Sequence, residues 1–421
     1  MKSVRPYAGL ALGVCLAAGV AGALKANAQD DDRKLKHVFV IAMENHNWTQ
    51  PNGNLGATSG IQQIYLNPNA PFVNSLVNGT AQAYIDGKLV NISQHVAYAN
   101  AYHNVLATPS GNNPHIHPSE PNYLWAEAGT NFGVANDNDP YAPGGPTVQT
   151  SSQHLTSLLE KKGHSWKSYQ EDIDLQTNAG GKLVNIPLPA NQWTVPLKSL
   201  SGTFDPASPL NQYNATAQYN YAAKHNPQLF FTDTNGNGDP TAANPDARKY
   251  APLQQLQFDL ENNRVAEYNW ITPDQYNDQH SALKNGFDGL TGDASQLRAG
   301  DNALAQLVPM IMASKAYNDG GAIILWWDEA EGDGDPGDNA DDFNHTIPEI
   351  VISNVARANE GGLPYASTVN MTHSSDLKTM QEVFHVGPLL GDAATPGTND
   401  LSDLFAPGVI PTHVGGDHDH D

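Results

Sequence analysis

The chain is 421 residues long, enough for one large hydrophobic core or two modest ones, and its 44 Asp+Glu against 21 Lys+Arg give a formal charge of −23. That acidity excludes nucleic acid and anionic membrane surfaces as general partners. An anionic substrate would meet the same repulsion and would need a local cation, which points to a bound metal.

Lys2 and Arg5 precede an apolar, small-residue stretch from Tyr7 to Leu24, and Ala26-Asn27-Ala28 offers a small-x-small cleavage site before Gln29. Residues 1–28 are therefore expected to be a removable signal peptide, and the protein secreted or periplasmic. The stretch is short and rich in Gly and Ala for a membrane span, so no stable membrane anchor is expected. Cys15, the single cysteine, lies in this segment, which leaves the exported chain without disulfides. It would carry 18 basic and 44 acidic residues, a charge of −26.

His37–Met43 is a continuous apolar run of strand length, as expected of a strand buried on both faces of a parallel sheet. It ends in Glu44-Asn45-His46-Asn47-Trp48, where open α/β sheets place their ligand sites. From Gln50 to about Leu106 the chain is polar and turn-rich, with weak element signals. Residues 113–129 read Asn-Pro-His-Ile-His-Pro-Ser119-Glu-Pro-Asn122-Tyr-Leu-Trp-Ala-Glu-Ala-Gly. Ser119 reads as an N-cap, Pro121 lies in the first turn, and Gly129 stops a mostly apolar run from Tyr123 to Ala128. A hydroxyl there sits at the positive end of a helix, where an anion is welcome. Asn122 follows on the same helical face.

Residues 131–146 form a Gly/Pro/Asn/Asp loop. His154–Lys162 has helical spacing, and Ser165–Tyr169 reads as a strand after the Gly163 break. Residues 172–218 are irregular enough to suggest an insertion or cap over a site. Tyr219–His225 reads as a short helix. The stretch from Asp233 to Asp239 resembles a calcium loop but has Asn244 where the closing glutamate belongs, so a Gly/Asn turn is expected. Tyr268–Thr272 is a further buried strand leading to Asp274, Asp278 and His280. Asp301–Lys315 is an amphipathic helix, Ala322–Trp327 a strand ending in Asp328-Glu329, and residues 330–344 an acidic, glycine-rich loop. Ile347–Val355 reads as a strand and Leu377–Phe384 as a helix preceded by Thr372-His373-Ser374. The alternation predicts an α/β fold, a doubly wound, mostly parallel sheet with helices on both faces and long loop insertions. A catalytic domain over residues 29–412 and a disordered His/Asp-rich tail over residues 413–421 complete this reading.

Three strand ends thus carry acids or amides (Glu44-Asn45, Asp278 with His280, and Asp328-Glu329), and a helix start offers Ser119. Carboxylates and an amide oxygen around a serine suit a metal-activated nucleophile. Oxygen-rich ligation favours Mg²⁺, Ca²⁺ or Mn²⁺, with Zn²⁺ admitted. Sixteen histidines occur, and His103, His115, His117, His225 and His345 are read chiefly as surface or hydrogen-bonded groups.

These motifs resemble a bacterial phosphoesterase family that includes secreted acid phosphatases and phosphatidylcholine-type phospholipases C, within the alkaline-phosphatase superfamily. The resemblance is carried by Met-Glu-Asn at residues 43–45, His-Pro-Ser-x-Pro-Asn-Tyr at 117–123 and Trp-Asp-Glu at 327–329. It implies an alkaline-phosphatase-like fold and Ser119 as nucleophile, forming a phosphoseryl intermediate. It further implies Glu44, Asn45, Asp328 and Glu329, with Ser119, as ligands of a divalent metal. Asn122 would hold a phosphate oxygen, and Asp278, His280 and His373 would line the leaving-group side, a histidine donating the proton. Glu329 departs from two-metal members, which have histidine beside the aspartate. Phospholipase members continue Glu-Asn with Arg-Ser-Phe where this chain has His46-Asn47-Trp48, which favours the phosphatase branch. The expected activity is an exported metal-dependent phosphomonoesterase acting on a small phosphate ester. The alternatives are a phospholipase C recognising a phospholipid head group, and a non-catalytic cation- or carbohydrate-binding protein.

Overall fold

The computed structural model describes residues 34–49, 63–104, 118–331, 345–359 and 362–411. The expected signal peptide, the tail, His115, His117 and most of the acidic loop lie outside the described residues.

An eight-stranded sheet forms the core. Its strands are β1 (His37–Met43), β2 (Val96–Ala99), β3 (Trp166–Gln170), β4 (Tyr250–Pro252), β5 (Tyr268–Thr272), β6 (Gly321–Trp327), β7 (Glu349–Ser353) and β8 (Tyr365–Ser367). The spatial order is β4-β3-β5-β1-β6-β7-β2-β8. Only β7 runs antiparallel to its neighbours, β6 and β2. Every residue of β5, β6 and β7 is buried, as is all of β1 after His37; β1 and β6 accordingly read as apolar runs, whereas β5 also buries Asn269 and Thr272 and β7 buries Glu349 and Ser353.

Two separate groups of helices cover the sheet. One comprises α1 (Pro71–Asn78), α4 (Gln254–Glu261), α5 (Asp293–Met312) and α6 (Lys315–Asn318). The other comprises α2 (Glu120–Ala128), α3 (Leu155–Lys162) and α7 (His373–Val383). Helices pack together within each group, giving the doubly wound arrangement expected of alternating elements. Among the described residues no helix is long and apolar enough to cross a membrane.

Several expectations change. The segment before Leu106 holds α1, with Pro71 in its first turn and Gly79 as a left-handed cap, and strand β2. Tyr219–His225 is not a helix: Gln218–Tyr221 pairs antiparallel with Leu200–Thr203, and only Ala223–His225 forms a 3-10 turn. Alternating Tyr219 and Tyr221 pack better on a pleated ribbon than on a helix. Within residues 172–218, Leu175–Thr177 and Leu183–Pro187 form another ribbon. That insertion covers a cavity of about 810 Å³ lined by Tyr141, Ile173, Leu188, Val195 and Leu200, with neither Ser119 nor Glu44 in its wall. Helix α5 starts at Asp293, eight residues before the expected Asp301, and α7 starts at His373 with a capping box between Thr372 and Ser375.

Candidate functional site

Sheet register brings the acids together. Met43 lies beside Trp327, so the residues that follow, Glu44 and Asp328, leave the sheet as neighbours. The Asp328 N–H donates to Met43 O at 3.2 Å, and the Asn45 N–H donates to Asp328 Oδ1 at 3.0 Å. On the other flank the loop after β5 curls back, and the Glu44 N–H donates to Asp278 O at 2.8 Å. All of this occurs at the carboxyl ends of the parallel strands, where open α/β sheets place their ligands.

Helix α2 closes the site. All nine of its residues are buried, so it shows little amphipathic contrast. Gly129 ends it at φ 66°, where a Cβ would stand 2.8 Å from both Leu390 O and Asp392 N, so only glycine fits. Ser119 already has helical backbone angles, and its hydroxyl does not cap the helix. It donates instead to Glu44 Oε2 at 3.0 Å, with Glu329 Oε1 at 3.2 Å. Asn122 Nδ2 donates to Glu329 Oε2 at 2.9 Å, and Tyr123 OH donates to Glu44 Oε1 at 2.5 Å. Ser119, Asn122 and Tyr123 occupy one helical face through i,i+3 and i,i+4 spacing.

The electrostatics follow from burial. Burial pushes the Glu44 carboxyl well above the carboxylate range, and the nearby Asp328 and Asp278 raise it further. Asp278 is raised by burial, with Asp328 adding to it. Lys224 is the cation at this site: burial alone would lower its pKa, but Asp137, 2.6 Å away, and Glu44 hold it above the ordinary lysine value. His225 lies flat on Tyr123, with ring centroids 5.1 Å apart and planes at 11°. Its Nε2 is 3.1 Å from Glu44 Oε1 and its Nδ1 3.4 Å from Asp278 Oδ2. Burial, Lys224 and His280 push His225 well below the usual imidazole value, and burial and Lys224 push His280 to about 4. Both rings are therefore neutral at pH 7, the form that ligates metals.

Three of these residues form a cluster that could hold a metal ion. Single donor atoms of Glu44, His225 and His280 lie within 4.8 Å of one another. Asn45 Oδ1 and both ring nitrogens of His225 are buried without a hydrogen-bond partner among the described residues. Unpartnered buried polar atoms beside a group of acids that burial and mutual repulsion keep from ionising are what a cation would satisfy. Oxygen donors suit hard cations, and the two imidazoles admit zinc.

Residues 93–387 match the Phosphoesterase family. The chain belongs to that family. Three curated acid phosphatases align with parts of this phosphoesterase. A "probable acid phosphatase" of Kluyveromyces lactis is 29% identical over 164 residues, covering 39% of this chain and 30% of its own length. An acid phosphatase of Aspergillus fumigatus is 28% identical over 165 residues, 39% of this chain and 28% of the relative. A phosphate-repressible acid phosphatase of Penicillium chrysogenum is 23% identical over 215 residues, 51% and 39% of the two chains. The alignments thus span well under half the length of these relatives. Among solved structures, the PsFucS1 sulfatase of a Pseudoalteromonas species overlaps 88% of this chain and 71% of its own, with a TM-score of 0.39 and 9% identity.

In this phosphoesterase the structure gathers Ser119, Asn122, Glu44, Asn45, Asp278, Asp328 and Glu329 in one place, with His280 on the flank. His280 N–H is tied to Asp278 Oδ1 at 2.8 Å. His373 lies behind the acids, with both ring nitrogens engaged. Trp326 Nε1, a donor only, reaches His373 Nδ1 at 3.0 Å, so Nε2 carries the proton and donates to Asp328 O at 2.7 Å. Tyr102 OH is a further neighbour of Nδ1 at 2.9 Å. His103 Nδ1 meets His345 O at 3.0 Å. Sequence reasoning missed Tyr123, Lys224 and the place of His225. Tyr123 could have been found by helical spacing from Ser119; the other two enter through the turn before Pro227, which carries no local signal.

Proposed function

We propose that this phosphoesterase is an exported, metal-dependent phosphomonoesterase that turns over through a phosphoserine at Ser119. The observation that carries the reading is the Ser119 hydroxyl at the start of α2, held between Glu44 and Glu329. The acid phosphatase relatives support the monoester class.

Glu44, Asn45, Asp328 and Glu329, with Ser119, would hold a divalent cation, which when bound acidifies the serine and offsets charge on the phosphoryl group. The Ser119 Oγ–P bond forms as the ester P–O bond breaks, and the hydroxyl proton has carboxylate acceptors in place at Glu44 Oε2 and Glu329 Oε1. The α2 N-terminus and Lys224 draw the anion in against the net negative charge. Asn122 orients a phosphoryl oxygen. Asp278 accepts the His280 main-chain N–H and so fixes the loop that carries this neutral ring on the leaving-group side, where its N–H would donate a hydrogen bond to the departing oxygen. Water then attacks phosphorus, and Ser119 Oγ leaves. His373 acts through Asp328, fixing the peptide that carries this carboxylate, and is a positioning residue.

The test is phosphate release from a chromogenic phosphomonoester by purified, metal-supplemented wild type and Ser119→Ala. A loss on the order of 10³-fold or more is expected, with acid-stable phosphate trapped on wild type alone. Unchanged turnover in Ser119→Ala overturns the mechanism. Faster release of phosphocholine from a lipid than of phosphate from a monoester would move the assignment to a phospholipase C.

A further inference from the structure

The far end of the Ser119 helix carries a buried charge cluster that the reaction does not use. Glu127, on the last turn of α2, His154, at the start of α3, and Asp233 come from three separate segments. The His154 side chain is wholly buried and Glu127 nearly so, while Asp233 reaches solvent. His154 Nδ1 lies 3.2 Å from Glu127 Oε2, and Nε2 lies 2.8 Å from Asp233 Oδ1. The ring also stacks on Phe231, with centroids 3.8 Å apart and planes at 14°.

The partners fix the proton count. Glu127 Oε2 accepts the Thr156 N–H at 3.1 Å, which leaves it an acceptor toward Nδ1 as well. Burial alone would raise Asp233, but His154 holds it below the usual carboxylate value, so it too accepts. A neutral imidazole has one N–H and serves one of these oxygens; the imidazolium serves both. The neutral ring has a single alternative donor in Thr156 Oγ1, 3.1 Å from Nδ1 and 3.0 Å from Glu127 Oε2. Turning that hydroxyl to the ring takes it from the acid and sets the Nδ1 lone pair against a charged oxygen. Among the described residues no lysine or arginine pairs with Glu127 or Asp233. The other titratable groups nearby are the Tyr250 and Tyr268 hydroxyls, in the field of Glu127. Burial alone would lower His154, yet Asp233 and Glu127 raise it above the ordinary histidine value.

The cluster joins the two halves of the serine site. Ser119 and Tyr123 lie on the helix that ends at Glu127. Lys224 and His225 lead into the turn Pro227–Phe230, which Gln228 Nε2 ties to Glu127 Oε1 at 2.9 Å and which runs on to Asp233. We propose that His154 is a positioning residue whose imidazolium, held by Glu127 and Asp233, locks the Ser119 helix to the segment carrying Lys224 and His225, so that losing its proton loosens the site and gives turnover an alkaline limit. The effect on turnover rests on Ser119 as nucleophile; the clasp itself does not. A histidine held in this way contributes its stability in full below about pH 6.5 and loses it as pH rises through the folded-state value.

The experiment compares full-length, metal-supplemented wild type, Asp233→Asn and His154→Gln from mildly acid to alkaline buffer. NMR should show both His154 ring N–H protons in acid wild type, assigned by their absence from His154→Gln. Asp233→Asn keeps an acceptor for Nε2 but removes its charge, and the partly exposed position tolerates it. The ring titration, the alkaline fall in Tm and the alkaline limb of kcat on a chromogenic phosphomonoester should then move together to lower pH by about one unit. His154→Gln should lose the corresponding step in Tm. A wild-type ring with one proton in mildly acid buffer overturns the proposal. So does a kcat limb at the same pH in wild type and Asp233→Asn while the ring titration moves. A chain inactive on the monoester, with ring titration and Tm still moving together, supports the clasp and overturns the phosphomonoesterase reading instead.

Discussion

Replacing Tyr123 with Phe isolates one interaction of the centre. The hydroxyl donates to Glu44 Oε1 at 2.5 Å, and burial together with the Glu44 charge keeps it protonated. Phe preserves the stack on His225 and the edge contacts with Trp270 and Trp326, at centroid distances of 6.0 and 5.3 Å. Only the donor is lost. In the metal-free protein burial and the neighbouring acids disfavour the charged form of Glu44, which weakens the bond, and its loss should cost about 1 kcal/mol of stability. With a cation bound Glu44 must be ionised, and a hydrogen bond to a charged group contributes about 1.5–3 kcal/mol. The difference falls on metal affinity, which should drop about 10-fold, in line with the roughly 10–100-fold effects of partners behind metal ligands. Chelator competition with Mn²⁺ on wild type and Tyr123→Phe measures this, and saturating metal should restore most of kcat. An affinity within two-fold of wild type would refute the argument that Glu44 is held for the metal by this hydroxyl.

Asp301 on α5 accepts the Phe72 and Val73 N–H groups at 2.8 Å each, supplying the α1 cap that Ala70 cannot. Asp301→Ala should cost roughly 2–4 kcal/mol in chemical denaturation, and Asp301→Asn about half as much. A Cβ at Gly300 would stand 2.3 Å from Gln279 Cγ and 2.9 Å from Met43 Cε. Gly300→Ala should therefore lose about 1–3 kcal/mol despite its better helix propensity. It should also lower kcat, because Gln279 lies between Asp278 and His280. Burial lowers His373 to about 4, and its protonation would break the bond from Trp326. The unfolded chain, with histidine near 6.5, binds more protons between these values, so stability should fall as pH drops from about 6.5 to 4. The loss from His373 is at most about 3 kcal/mol, and His373→Gln should show a shallower slope in urea titrations across that range.

Burial on both faces is what made β1 and β6 legible, since Val38–Met43 and Ala322–Trp327 admit no polar side chain. Their carboxyl ends then marked Glu44 and Asp328. Strand β2 was illegible because Val-Ala-Tyr-Ala is too short to show a period; it is a strand through its pairing with β7. Gln218–Tyr221 was misread because Ala and Lys after it favour a helix, while its partner strand, Leu200–Thr203, lies far back in the chain. At the site, Ser119 stood out by its helix-start signals, yet its hydroxyl leaves the capping role for two carboxylates brought in by tertiary contact. His225 shows the limit of local pattern: nothing around it announces a ring stacked on Tyr123 between Glu44 and Asp278.

The bonds that assemble the centre join residues far apart in sequence: 75 positions from Glu44 to Ser119, 210 from Ser119 to Glu329 and 283 from Asn45 to Asp328. Loops of that length close late, and folds dominated by such contacts fold slowly. A chain leaving the ribosome therefore has no centre until β6 has emerged and docked against β1, when about three-quarters of the residues have been made. Truncation before β6 should abolish activity outright, and after dilution from denaturant catalysis should return later than the helical circular dichroism signal.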